Sequence, residues 1–183
     1  MKAFSEGVGR SLEWKQPASR KQLYELLAGR DVVANMVFRS SAGTLATIET
    51  AHGSWTFKRV GFLDARVTGR RAGSEKNTAV FTPSFWGAGT LAFADRETFL
   101  WKSLGFWRSE WAFCDSRLRN LVTFKRWPDK SRLKDIFKTE SLVEIDARAV
   151  SDARLPYLAT LGFYLMLLSQ QDTTLLAALS AAT

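Results

Sequence analysis

His52 and Cys114 are the only histidine and the only cysteine in a chain of 183 residues. That scarcity limits the chemistry. A histidine-based triad needs a nucleophile and an orienting acid around the imidazole, and nothing near His52-Gly53 marks either one, so the pair reads as a hairpin turn. A single thiol makes no intrachain disulfide, and one cysteine with one histidine does not complete a structural zinc site. Cys114 has no flanking basic motif to activate it. It sits in the alternating stretch Glu110–Asp115 on the face opposite Trp111 and Phe113, where packing is its expected role. The carboxylates show no clustered pair for general acid–base work. Gly87-Ala88-Gly89-Thr90-Leu91-Ala92 matches a dinucleotide fingerprint, but that fingerprint must open a helix, and Thr90–Asp95 reads as a strand. No catalytic residue, metal ligand or cofactor is assigned, and the expected role is non-enzymatic.

Charge is the more informative signal. The chain carries 26 Lys and Arg against 18 Asp and Glu, a formal +8, which suits an anionic partner such as a phospholipid surface or nucleic acid. The excess is local. Between Arg117 and Lys138 stand eight basic residues against Asp129 and Asp135, which is six of the eight net charges. Within this stretch Lys125, Arg126, Lys130, Arg132, Lys134 and Lys138 are candidates for binding an anionic surface. Trp127, beside Pro128, and Trp107, beside Arg108, are the candidate apolar contacts. Each basic side chain near anionic lipid contributes about 1 kcal/mol, so four or five would give weak, salt-sensitive docking. Two restrictions apply. On a strand Lys125 and Arg126 point to opposite faces, and Lys130, Arg132, Lys134 and Lys138 share a face only if their segment is extended. A solvated loop is the bland alternative.

The elements that would position these residues are mostly strands. Trp55 and Phe57 alternate with Thr56 and Lys58, Phe99 and Trp101 with Leu100 and Lys102, Val122 and Phe124 with Thr123 and Lys125. Turn signals fall at 41–43, 52–53, 69–77, 95–97 and 115–120, giving about twelve strands at the spacing of a sandwich or barrel. Gly43-Thr44-Leu45-Ala46 recurs as Gly89-Thr90-Leu91-Ala92, the same offset carries Trp55 onto Trp101, and Gly61-Phe62 echoes Gly105-Phe106. Two related meanders closing into a barrel would leave no free sheet edge. The dense aromatic set favours core packing for Trp55, Trp101 and Trp111 over base stacking. Residues 1–20, with Gly7, Gly9 and Pro17, read as a loosely ordered lead-in without an apolar signal segment.

Leu155–Leu168 breaks the pattern with 14 residues that carry no charge. Ser151 or Asp152 would cap a helix of about 153–169, with Pro156 in its first turn. Its apolar residues cover the whole circumference, so protein or lipid must enclose it. The run falls short of the ~20 residues that span a bilayer, and Gln170-Gln171-Asp172 separates it from a tail at 173–183. A barrel of about twelve strands encloses more than its own side chains can fill. The expected architecture is therefore mainly β: a closed antiparallel barrel over 21–172 around a hydrophobic C-terminal helix. About ten large side chains buried at roughly 1.5–3 kcal/mol each would dominate folding.

Many strands followed by a terminal apolar helix resemble the tubby C-terminal-like superfamily, which includes LURP-one-related proteins and phospholipid scramblases. The residues that carry the likeness are the two Gly-Thr-Leu-Ala units with Trp55 and Trp101, the stretch Trp107-Arg108-Ser109-Glu110-Trp111-Ala112-Phe113, and Leu155–Leu168. The resemblance spans about residues 20–172 and implies a barrel around a central helix with a non-enzymatic role at phospholipid membranes. No acidic loop of the kind a calcium-dependent scramblase needs is present, and no phosphoinositide-binding residues map onto this chain. The resulting expectation is a cytoplasmic, compact single-domain barrel, peripheral to the inner face of a membrane and binding anionic headgroups. A nucleic-acid-binding barrel using the same basic residues and a tail-anchored protein using 155–183 are the alternatives.

Overall fold

The structure, a computed structural model, describes residues 1–4, 12–18, 22–40, 43–61, 65–84, 87–105, 110–126 and 141–181. Twelve strands run up and down in chain order: β1 (Leu12–Lys15), β2 (Leu23–Ala28), β3 (Asp31–Phe38), β4 (Ala46–Thr50), β5 (Gly53–Val60), β6 (Arg66–Arg71), β7 (Asn77–Pro83), β8 (Gly89–Phe93), β9 (Thr98–Leu104), β10 (Glu110–Cys114), β11 (Asn120–Arg126) and β12 (Ser141–Ile145). Every neighbouring pair is antiparallel, and β1 pairs with both β2 and β12, which closes the barrel. A single 3-10 turn at Ala147–Ala149 and then a long α-helix, α1 (Leu155–Ser180), follow.

Strand alternation decides which side chains meet the interior. In β4, Ala46, Ile48 and Thr50 are buried while Thr47 and Glu49 are exposed. In β1, Leu12 and Trp14 face the core, and Glu13 and Lys15 pair outside at 2.8 Å. That strand corrects one expectation: residues 12–15 are part of the barrel wall, not of a loose lead-in. Gly7, Gly9 and Pro17 dominate the local composition, but the four-residue alternation between them supplies the closing strand.

The interior is filled by α1. From Leu155 to Leu168 every side chain except the partly buried Met166 is buried. Its contacts run around the wall. Trp14 of β1 stacks flat on Phe163 at 4.5 Å, and Tyr24 of β2 meets the same ring edge-on. Phe38 of β3 stacks on Tyr164. Phe57 of β5 and Phe93 of β8 pack on Tyr157. Phe124 of β11 lies so close to Gly162 that a Cβ there would collide with its ring. Helix and wall also share polar bonds: Trp55 Nε1 donates to Thr160 Oγ1 at 3.2 Å, and the Tyr164 hydroxyl donates to the Thr44 carbonyl.

Three details differ from the sequence expectations. The N-cap residue is Arg154, which makes no side-chain cap; Asp152 instead accepts the Arg154 N–H at 2.8 Å. The helix does not stop near 169 but runs to Ser180, because Gln170, Gln171 and Asp172 are all compatible with a helix and no glycine or proline follows Gly162. In the repeat, the two Gly-Thr-Leu-Ala units are out of register: Trp55 pairs with Ile48 on β4, whereas Trp101 pairs with Gly89 on β8. The echo that survives is Gly61 and Gly105, which leave their hairpins at φ of 89° and 82°.

Candidate functional site

An up-and-down barrel sorts its connections between two ends. At one end β11 hands over to β12 and α1 emerges. Arg126 pairs with Ser141 across that rim, and Ser141 Oγ lies 3.9 Å from Met166 Sδ, close to where the helix leaves the barrel. The Arg59 guanidinium grips the Asp172 carboxylate through both oxygens, at 2.8 and 2.7 Å, and steadies the emerging helix. From 169 to 180 the helix continues for about 18 Å, at 1.5 Å per residue. Leu175, Leu176 and Leu179 are 61, 67 and 59% exposed there, and their spacing puts them on one side of the helix.

The sequence candidates divide in two. Lys125 is on the outer face of β11, where its ammonium pairs with Glu144 Oε1 at 2.9 Å, and that bond raises its pKa. Much of its charge is therefore answered locally. Arg126 ends the same strand at the rim. Trp107, Trp127, Lys130, Arg132, Lys134 and Lys138 lie outside the described residues. Segment 127–140, to which five of these six belong, connects the ends of β11 and β12 at the end where α1 emerges.

The aromatics expected in the core are there. Trp55 and Trp101 are buried, and Trp111 stacks on Trp101 at 5.4 Å. Cys114 is buried, its Sγ lies 3.1 Å from Asn120 Oδ1, and burial pushes the thiol pKa up, which suits packing rather than nucleophilic work. Gly89 and its neighbours form β8, so the glycine-rich stretch opens a strand and not a helix. Residues 155–168, which a tail anchor would place in lipid, are enclosed by the barrel. Among the described residues no helix is long and apolar enough to cross a membrane.

The opposite end holds a feature that the sequence reading missed. Here α1 begins, and a cleft of about 390 Å³ opens beside it. Arg154 binds Asp95 across the cleft mouth, and this bond holds the Asp95 carboxyl below the usual carboxylate range. The Arg154 guanidinium also lies 5.4 Å from the centre of the Phe93 ring. His52 is placed by a tight turn in which Thr50 Oγ1 donates to the Gly53 carbonyl at 3.0 Å and accepts the His52 N–H at 3.1 Å. These residues come from distant parts of the chain, and only the barrel register brings them together. The available signal was topological: the β4–β5 and β8–β9 turns must fall at the same end of an up-and-down barrel.

No family model matches the chain, and no curated protein or solved structure matches it.

Proposed function

We propose that this barrel docks on anionic phospholipid surfaces through the end from which α1 projects. The observation that carries the reading is the bare apolar face of Leu175, Leu176 and Leu179 on a helix held clear of the barrel. It emerges at the end where β11 stops and β12 starts, and the chain that joins them carries Lys130, Arg132, Lys134 and Lys138 in its sequence. Such a pairing suits a membrane interface, where apolar burial and attraction to anionic headgroups add. The nucleic-acid alternative calls for exposed stacking aromatics, and Trp55, Trp101 and Trp111 are spent on the core. A closed barrel filled by an apolar helix is also the arrangement that tubby-like kinship implies, and that kinship is part of the proposal. With it goes a cytoplasmic place, peripheral to the inner face of a membrane.

Sedimentation with phosphatidylcholine vesicles, with and without phosphatidylserine, tests this. The expected result is binding to the anionic vesicles alone, released by salt. It should fall at least severalfold in a Leu175→Ser/Leu176→Ser/Leu179→Ser variant and in a Lys130→Glu/Lys134→Glu variant. Equal binding to both vesicle types, or no binding to either, overturns the proposal. A salt-dependent gel shift with random nucleic acid in place of vesicle binding would do the same.

A further inference from the structure

We propose that the cleft at the start of α1 is a binding site for a small organic monoanion with a flat apolar body, an aromatic carboxylate being the simplest case. It lies at the end of the barrel away from the projecting helix and does not depend on the membrane reading. Three features argue for it.

The first is shape and lining. A cleft of about 390 Å³ is within the range that holds small ligands. Its walls are the Trp55 indole, the Phe93 ring and the Tyr157 ring, with Pro156 beside them. Flat faces of this kind bind a flat apolar body.

The second is charge. Arg154 is already answered by Asp95 and Asp152. Arg71 lines the same cleft, and among the described residues its guanidinium has no ion pair or hydrogen bond. It is the last residue of β6, exposed, with its five donors available. One unanswered guanidinium beside an apolar slot selects one negative charge, and its forked geometry suits a carboxylate. His52 at the rim adds a second donor or acceptor.

The third is an unmade bond. The Tyr157 side chain is more than nine-tenths buried, and burial raises its pKa, so it stays a neutral O–H donor. Its hydroxyl lies over Gly69 of β6, so close that a Cβ there would collide with it. Among the described residues it has no hydrogen-bond partner. An acceptor brought by a ligand would supply the partner that this donor lacks. Gly69 is two residues from Arg71 on β6, and the Arg71 guanidinium extends the other way, toward Gly53, so the donor lies deeper than the cation.

His52 makes the test local, because its imidazole gives the one histidine signal in a proton spectrum. Naphthalene-2-carboxylate is titrated against the full chain, with naphthalene-2-methanol as the neutral control. The expected result is a saturable shift of the His52 signal with the carboxylate and about tenfold weaker binding of the alcohol. Arg71→Ala should weaken the carboxylate by about tenfold while leaving the thermal midpoint near wild type, since the side chain is exposed and unpaired. No saturable shift, equal affinity for acid and alcohol, or an Arg71→Ala variant that binds as wild type each overturns the proposal.

Discussion

From Leu155 to Leu168 α1 is surrounded by barrel, whereas every residue from Asp172 to Ala181 is exposed. The two parts belong to one unbroken helix and are built from similar residues: leucine, alanine and threonine occur in both. Composition therefore does not decide where a segment lives. The height of the wall does. Fourteen residues of helix rise about 21 Å, and once that height is used up the same kind of sequence has nothing left to pack against. Apolar surface buried inside stabilises the fold, and apolar surface carried outside does so only on meeting a partner.

That contrast can be broken from the inside. Phe163 touches Trp14 and Tyr24 and is fully buried. Phe163→Ala should lower the unfolding free energy by about 3–5 kcal/mol in urea titrations, since it removes a ring from a packed core. A loss under ~1 kcal/mol would mean that the helix is not held by the wall.

Alkaline pH provides a second handle. All three tyrosines, Tyr24, Tyr157 and Tyr164, have raised pKa values, each with burial as the largest cause. Folding therefore favours their neutral form. The resulting stability is complete below pH 10, near the unfolded pKa, and is lost as pH rises toward the folded values. Each pH unit in that window removes up to about 1.4 kcal/mol per tyrosine. Phenolate absorbance should appear together with unfolding. A tyrosine that titrates normally near pH 10 in the folded chain would contradict the enclosure.

The smallest effect belongs to the outer part. Leu176→Ala changes a residue that is 67% exposed and should alter stability by no more than about 0.5 kcal/mol. A larger loss in the isolated chain would show that the projecting turns are not bare in solution.

The barrel was legible because alternation and turn chemistry act over a few residues. Trp55 with Phe57 and Val122 with Phe124 declare an inward face without help from the rest of the chain. The helix was legible for a different reason: a run apolar on every side needs a container, and a wide barrel needs contents. β1 was harder. Leu12-Glu13-Trp14-Lys15 alternates, but only four residues do so, between stretches rich in glycine, proline and charge. Polar residues at 169–172 look like a stop, but only a glycine or a proline would force one, and α1 runs on to Ser180. The cleft was not legible at all. His52, Arg71, Asp95 and Arg154 have no local pattern in common, and what unites them is which strands neighbour which.

The order of the chain has a consequence for its birth. The filler, 155–168, follows the last wall strand, Ser141–Ile145, and closure itself waits for Leu12 to find Val143. A ribosome adding about 5–20 residues per second therefore exposes a greasy, unlidded cup for on the order of seconds before anything can occupy it. Until then the apolar inner face of the wall lies bare, the condition in which incomplete chains associate with one another.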